Sequence, residues 1–222
     1  FARTLTATCV HTGWTHLEVL RNNARVHMLA ALDRLAATLP FEIAGLDCDN
    51  GSEFINDKVV EWAGGRKIFF TRSRPYKKND QAYVEQKNWT AVRQMVGYDR
   101  YEGQQACLAL QALYQPLRLY LNFFQPVMVL VDKQRLGAKV TKRYDVAKTP
   151  YQRILEAPEI DPAVKESLRH LYDTLNPAAL QRQIHQRQAE LWRLSRPPAA
   201  LGGTQVPPAL LNESTSCSMA KV

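Results

Sequence analysis

The chain has 222 residues, which is enough for one sizeable hydrophobic core and a smaller module. It carries 29 Lys and Arg against 21 Asp and Glu, a formal net charge of +8 that indicates a polyanionic partner, nucleic acid before membrane. No apolar run approaches the roughly 20 residues of a membrane span, and the four cysteines form no C-x-x-C pair. We therefore expect a soluble, intracellular protein with reduced thiols.

The first part of the chain predicts a hairpin, a helix and a further strand. Residues 1–10 alternate between apolar side chains and threonines, and Trp14–Leu20 returns as the partner strand. Val26–Leu39 has one-sided apolar residues at helical spacing, and Pro40 marks its end. Phe41–Leu46 is the next strand.

Two histidines, His11 and His16, flank the turn of the predicted hairpin. They could be metal ligands. Two isolated histidines beside a hairpin are usually surface residues, and we interpret both in this way.

The string Asp49-Asn50-Gly51-Ser52-Glu53-Phe54 follows the third strand. Asp49 would lie at the carboxyl end of that strand, where ligand sites in open α/β sheets gather. Asn50-Gly51 lets the backbone turn directly after it. Asp47 competes with Asp49 for a catalytic role. We favour Asp49 and interpret Asp47 and Glu53 as structural or supporting residues.

A short helix over Asn56–Trp62 and a strand over Lys67–Thr71 come next, and then a basic loop over Arg72–Asn79. Guanidinium and ammonium groups bind phosphate oxygens, and a tyrosine such as Tyr76 can stack on an unpaired base. A solvated charged loop is the alternative. We predict DNA contacts from four of its cations: Arg72, Arg74, Lys77 and Lys78.

The helix predicted from Asp80 to about Gly97 carries the second acidic candidate. Thirty-five residues lie between Asp49 and Glu85. Spacings of three and four place four residues on one helix face: Glu85, Asn88, Trp89 and Val92. We expect Glu85 and Asn88 to point into the site, with the other two packing on the core or on DNA. Lys87 and Arg93 lie on other faces, and we expect them to contact DNA phosphates.

Together these segments resemble the catalytic core of the retroviral-integrase-like DDE transposases, in particular those of bacterial insertion sequences. The residues that carry the resemblance are DNGSEF at 49–54, Ser73-Arg74-Pro75-Tyr76, Asn79-Asp80 and Val84-Glu85-Gln86-Lys87-Asn88. It covers about residues 1–125 well and the following 70 more loosely. It implies a ribonuclease-H-like α/β fold, a five-stranded mixed sheet flanked by helices. It also implies that Asp49 and Glu85 are two of three carboxylates that bind two Mg²⁺ or Mn²⁺ ions.

The resemblance places the first of the three carboxylates on the first strand of the sheet, yet no Asp or Glu precedes Glu18 here. The chain begins in what matches the second strand. We therefore expect the first strand and its Asp to be missing from this chain. The sheet would then lack a central member, and the chain alone would be inactive.

A long helix over Tyr101–Phe124, kinked or split at Pro116, would close the catalytic core at residue 125. A small basic β-element at 126–155 follows, with strands at Val127–Val131 and Lys139–Tyr144. Residues 133–153 hold seven basic side chains against one acid. A solvated ribbon is the alternative to a second DNA contact. We predict that contact from three residues: Lys139, Lys142 and Arg143.

Residues 156–195 predict two helices, because Asp161-Pro162 and Asn176-Pro177 are pairs of an N-cap residue and a first-turn proline. The helices would form an antiparallel hairpin or a subunit contact, and the sequence does not decide between the two. Residues 196–222 are rich in Pro, Gly and polar residues, and we predict a disordered tail.

These expectations point to DNA integration or transposition by metal-dependent phosphoryl transfer at DNA phosphodiesters. The partners would be double-stranded DNA, at the element ends and the target, and further copies of this chain. The location would be the bacterial cytoplasm, associated with the nucleoid. Two alternatives remain: a ribonuclease-H-like nuclease that only hydrolyses, and a catalytically inactive DNA-binding remnant of a transposase.

Overall fold

A computed structural model describes residues 1–22, 25–48, 57–73, 87–195 and the strand at 215–220. The strands are β1 (Arg3–Cys9), β2 (Thr15–Leu20), β3 (Gly45–Cys48), β4 (Phe69–Arg72), β5 (Leu130–Leu136), β6 (Lys139–Tyr144) and β7 (Thr215–Ala220). The α-helices are α1 (Arg25–Thr38), α2 (Asp57–Gly65), α3 (Gln94–Val96), α4 (Gly103–Phe123), α5 (Pro150–Glu156), α6 (Pro162–Thr174) and α7 (Pro177–Trp192), and a π-helix, Asn88–Arg93, precedes α3. No helix within these ranges is long and apolar enough to cross a membrane.

The main sheet has five strands in the order β2-β1-β7-β3-β4. β1 pairs antiparallel with β2, and β3 pairs parallel with β4. The central position belongs to β7, which runs parallel to β1 and antiparallel to β3. The expected mixed α/β architecture is thus confirmed. Two expectations are wrong: Thr215–Ala220 is a strand where we predicted a disordered tail, and the central position of the sheet is filled.

Strand β1 is buried on both faces, which fits a strand near the middle of a sheet. Leu5 and Ala7 are fully buried on one face, and Thr4 and Thr6 are buried on the other. The hydroxyl groups of Thr4 and Tyr114 are 2.6 Å apart, a hydrogen bond that joins the second face to α4. The predicted alternation of β1 is therefore correct, but neither of its faces is open to solvent.

Two hydrophobic clusters cover the two faces of the sheet. One contains Leu5 and Leu32, from β1 and α1, and Ile154 of α5. The other contains Leu113 of α4 and Ile184 of α7. Helices from beyond residue 125 thus complete both cores. The second predicted helix of the carboxyl-terminal pair, α7, packs along α4, so it belongs to the core and not to a separate helical hairpin.

Helix α4 runs unbroken from Gly103 to Phe123, although we expected Pro116 to kink or split it. A proline inside a helix removes one backbone hydrogen bond. Here Pro116 is itself buried between buried residues on both sides, Leu113 and Leu117. We attribute the continuity of the helix to this packing, which offsets the lost hydrogen bond.

The predicted starts of α6 and α7 are confirmed. The Asp161 carboxylate accepts a hydrogen bond from Ala163 N at 2.7 Å, and the Asn176 amide oxygen accepts one from Ala178 N at 3.0 Å. Helix α5 was not predicted. Its signal is a capping box in which Thr149 and Gln152 exchange side-chain to backbone hydrogen bonds.

Strands β5 and β6 form a separate two-stranded sheet, the basic hairpin. The predicted bounds of β6 are correct. The predicted first strand is shifted, because β5 spans Leu130–Leu136 and not Val127–Val131. Leu136 pairs with Lys139, so Gly137 and Ala138 make the turn, and β5 extends to meet it.

Candidate functional site

The carboxyl ends of β3 and β4 lie side by side at one edge of the main sheet. Cys48 is in register with Arg72, and Ser73 N donates a hydrogen bond to Cys48 O at 3.0 Å just beyond the pair. Asp49 is the next residue after β3 in the sequence. We call this edge the β3–β4 edge.

Five predicted site residues lie outside the described residues: Asp49, Glu85, Arg74, Lys77 and Lys78. Their predicted roles in metal binding and DNA contact therefore stay predictions. The structure describes the sheet edge directly before Asp49 and the π-helix Asn88–Arg93, whose first residue is three positions after Glu85.

Asp47, the rival of Asp49, is bound to the neighbouring strand. The Thr71 hydroxyl donates to Asp47 Oδ1 at 2.7 Å, and the Ser73 hydroxyl donates to Oδ2 at 3.3 Å. Both carboxylate oxygens thus have donors on or just after β4. This arrangement favours the structural interpretation of Asp47, because it fastens β3 to β4 at the edge where Asp49 follows.

The helix after Glu85 departs from the predicted α-geometry, since Asn88–Arg93 is a π-helix. Asn88 and Val92 are buried, whereas Trp89 is 49% exposed. The expectation that Trp89 shares their face is wrong, because the wider turn of a π-helix breaks the spacing of three and four that applies to an α-helix. Single π-turns are frequent at functional sites, and this one begins three residues after Glu85 in the sequence.

Asn88 is the described residue that best fits a role inside the site. Its side chain is only 8% exposed, and within the described part of the chain its Oδ1 atom has no hydrogen-bond partner. A buried amide oxygen without a partner is costly, and an ordered water, an ion or a role at a functional site are among its explanations. The burial of Asn88 does not favour a contact with DNA at the protein surface.

The predicted phosphate contacts differ in their exposure. Arg72 is exposed at the end of β4. Arg93 is half-buried, with its guanidinium carbon 5.7 Å from the ring centroid of Tyr98. Lys87 is also half-buried, and desolvation lowers the pKa of its ammonium group to about 8. The three hairpin residues, Lys139, Lys142 and Arg143, are all exposed.

The residues predicted for the metal site would fit a hard divalent cation by their chemistry. Asp49 and Glu85, outside the described residues, offer carboxylate oxygens, and Asn88 offers an amide oxygen that has no partner within the described part of the chain. Mg²⁺ and Mn²⁺ prefer oxygen donors of these kinds. Among the residues that the structure describes, no group of three His, Cys, Asp or Glu could hold a metal. A metal site at the β3–β4 edge would therefore depend on Asp49 and Glu85.

Our interpretation of His16 as a surface residue is wrong. His16 is only 3% exposed, and its Nε2 atom lies 3.1 Å from Glu18 Oε1. Arg34 of α1 donates to the same carboxylate at 3.0 Å, and Arg118 of α4 lies against the ring, with Nη1 at 3.2 Å from Nε2. His16 is buried because α1 and α4 pack on β2. Both helices come from other parts of the sequence, so no pattern within the hairpin indicates the burial. His11, by contrast, is exposed as expected.

The comparisons with known proteins give one sequence relative and several similar structures. No model of a known protein family matches the chain. The uncharacterized protein y4rM of Sinorhizobium fredii (strain NBRC 101917 / NGR234) is 44% identical over 153 residues. The match covers 69% of this chain and 44% of that protein, so the chain spans under half the length of its curated relative.

Two solved structures are similar over most of this chain. The catalytic core domain of BIV integrase covers 70% of this chain and 93% of its own, with 16% identity and a TM-score of 0.45. A chain of the simian T-cell lymphotropic virus intasome, solved with PP2A regulatory subunit B56 gamma, covers 68% of this chain and 47% of its own. Its identity is 15% and its TM-score 0.43.

Proposed function

We propose that this chain is the catalytic part of a DDE transposase or integrase of the bacterial insertion-sequence type, acting in DNA integration by metal-dependent phosphoryl transfer. The observation that carries the proposal is the position of the DNGSEF string. Asp49 follows β3 directly in the sequence, and β3 ends side by side with the parallel strand β4. Ligand sites of open α/β sheets form at such edges, and Glu85 follows at the 35-residue spacing of the family that the sequence resembles.

Asp49 and Glu85 would hold Mg²⁺ or Mn²⁺, with Asn88 close to the same site. When bound, the cations supply positive charge that activates water or a DNA 3′-hydroxyl and stabilises the leaving 3′-oxygen. Asp47 would keep β3 fastened to β4, so that Asp49 stays at the edge. The proposal uses no covalent intermediate between protein and DNA, so it needs no nucleophilic Ser or Tyr.

The cations around this edge would bind the DNA backbone. Arg72 is exposed directly beside the end of β3, and the basic loop with Arg74, Lys77 and Lys78 follows it in sequence. Contacts of this kind fix the register and orientation of DNA but do not read its sequence. The proposed partners are double-stranded DNA and further copies of the chain, in the bacterial cytoplasm.

The first test is Mn²⁺ titration of the full chain by calorimetry, beside Asp49→Asn and Glu85→Gln. We expect saturable binding that each substitution abolishes, with affinity for duplex DNA nearly unchanged. Matched controls are Asp57→Asn and Glu61→Gln, exposed carboxylates on α2, which should bind Mn²⁺ like the parent. Equal Mn²⁺ binding by the parent and the Asp49 and Glu85 variants would contradict the proposed site.

Activity is tested on the protein and on its Asp49→Asn and Glu85→Gln variants, using labelled DNA ends and a target plasmid. Joined products that depend on Asp49 and Glu85 would support transposition. Cleavage without joining would favour the nuclease alternative. Duplex binding without metal binding or cleavage would favour the inactive remnant, and both results would overturn the proposal.

A further inference from the structure

The basic hairpin is held at its base and exposed along its length. At the base, the Asp145 carboxylate accepts hydrogen bonds from Val129 N at 2.7 Å and from Arg153 Nη1 at 2.6 Å. Arg153 also donates to Val127 O at 2.9 Å. Every residue from 133 to 144 is exposed, and neither strand pairs with the main sheet. An isolated two-stranded hairpin is marginally stable in water, so this anchored base is what keeps it in place.

The register of the hairpin separates its cations onto two faces, because side chains alternate along each strand. One face, the Lys142 face, holds Lys133, Arg135, Val140 and Lys142. The opposite face, the Arg143 face, holds Asp132, Gln134, Leu136, Lys139, Thr141 and Arg143. The Lys142 face therefore has three cations and no acid. The Arg143 face has two cations, and Asp132 lies directly across from Arg143.

The pairing on the Lys142 face is unfavourable for a free hairpin. Lys133 lies directly opposite Lys142 in the register, and like charges at such positions destabilise a strand pair. On the Arg143 face, Asp132 offsets Arg143. A charge pattern that costs stability in the free protein is explained if an anionic partner binds between the two lysines.

The dimensions of the hairpin fit one kind of polyanion. Its seven-residue first strand is about 20 Å long at ~3.3 Å per residue, and its strands lie about 4.8 Å apart. The major groove of B-DNA is about 12 Å wide and admits a two-stranded ribbon, whereas the minor groove is about 6 Å wide and takes strands only when it is widened by bending. Lysine and arginine can reach guanine O6 and N7 there, and an apolar side chain such as Val140 can meet a thymine methyl group.

We propose that the basic hairpin lies in the major groove of double-stranded DNA, with the Lys142 face toward the base edges. This inference deepens the proposed function, and rests on it only in taking duplex DNA as the partner. It divides the hairpin cations into two classes: Lys133, Arg135 and Lys142 enter the groove, whereas Lys139 and Arg143 face away from its floor.

The test compares two double variants of the full chain that remove the same charge from opposite faces: Lys133→Ala/Lys142→Ala and Lys139→Ala/Arg143→Ala. Duplex affinity is measured by fluorescence anisotropy at one fixed salt concentration. Loss of one base-edge contact corresponds to about a five- to 150-fold rise in Kd. We therefore expect the first variant to bind duplex DNA at least about tenfold more weakly than the parent, and the second variant to lose less than about threefold. Equal losses in both variants would overturn the assignment of faces.

The groove is tested by dimethyl sulfate footprinting, which reads guanine N7 in the major groove and adenine N3 in the minor groove. We expect N7 protection by the parent and by the second variant, and none by the first. Protection of adenine N3 alone would overturn the proposal. Lys133→Arg/Lys142→Arg keeps both charges and both donors to guanine, so it should restore duplex affinity and N7 protection, which separates loss of the contacts from loss of the hairpin fold.

The failure of this inference is distinguishable from the failure of the proposed function. In an Asp49→Asn background, the two double variants should still differ in their loss of duplex affinity, because Asp49→Asn leaves the hairpin unchanged. If metal binding is absent while the face difference persists, the hairpin inference stands and the catalytic proposal fails. If metal binding is present while both double variants bind duplex DNA like the parent, only the hairpin inference fails.

Discussion

Substitution of Asp47 tests whether the β3–β4 edge is built as described. Asp47 accepts hydrogen bonds from Thr71 at 2.7 Å and from Ser73 at 3.3 Å, and the latter distance marks a weak contact. A hydrogen bond to a charged group contributes about 1.5–3 kcal/mol, and Asp47 is half-buried, which favours the lower value. We therefore expect Asp47→Ala to lower the free energy of unfolding by about 2 kcal/mol. Asp47→Asn keeps an acceptor for Thr71 and should lower it by about 1 kcal/mol.

The assay joins urea unfolding with Mn²⁺ calorimetry on the same samples. For a protein of this size, about 1 kcal/mol corresponds to a shift of roughly 2–4 °C in Tm, so thermal melting gives an independent reading. Because Asp47 acts on the strand and not on the metal, Asp47→Asn should weaken Mn²⁺ binding by less than about tenfold, the low end for residues outside the ligand set. Asp49→Asn should abolish the binding with little change in stability.

The opposite pattern would refute this reasoning. If Asp47→Asn abolishes Mn²⁺ binding at unchanged stability, and Asp49→Asn binds Mn²⁺ like the parent, then Asp47 is the metal ligand. Thr71→Val is a useful companion, because it removes only the shorter hydrogen bond. Its loss of stability should not exceed that of Asp47→Ala.

Two further predictions concern the packing of β2. Asn122 of α4 accepts a hydrogen bond from Thr15 N and donates one to Thr15 O, both at 2.8 Å. Asn122→Ala leaves these two backbone groups of Thr15 unpaired, so it should lower the free energy of unfolding by about 2–5 kcal/mol. Urea titration measures this change, and a loss below about 0.5 kcal/mol would contradict the prediction. Desolvation lowers the pKa of His16 below 6.5, although Glu18 lies beside the ring; Arg34 and Arg118 also face it. The unfolded chain therefore takes up this proton more readily than the folded protein. The contribution of His16 to stability is fully present above pH 6.5 and is lost as the pH falls. His16→Asn should flatten this limb of the pH–stability curve, and an unchanged curve would exclude His16 as its source.

Local patterns predicted the elements that have a strong period or a clear end signal. Helix α1 follows from its apolar spacing, and α6 and α7 follow from their N-cap and proline pairs. The capping box of Thr149 and Gln152 could have predicted the start of α5 in the same way. It was missed because the positive charges of this stretch determined its interpretation. These features are local because each depends on residues within a few positions of one another.

The features that sequence reasoning missed depend on distant partners. Strand β7, with the sequence TSCSMA, has little apolar character of its own, and it is a strand because β1 and β3 pair with its two edges. Burial of His16 requires α1 and α4, and it leaves no signal in the β2 sequence. The π-helix Asn88–Arg93 likewise replaces an α-helix without any change in apolar period. At the site, the sequence predicted the β3–β4 edge and the candidate carboxylates, whereas the burial of Asn88 and the bonds of Asp47 came from the fold.

Helix α5 connects the proposed DNA contact with the sheet. Arg153 holds the base of the basic hairpin, while the next residue, Ile154, is fully buried in the cluster that also contains Leu46 of β3. Because the side chains of a protein core are close-packed and have little room to move, the base of the hairpin is fixed relative to the strand that precedes Asp49. DNA bound by the hairpin would then lie at a fixed position relative to the β3–β4 edge. Phosphoryl transfer depends mainly on such positioning, because the reacting oxygens must lie in line.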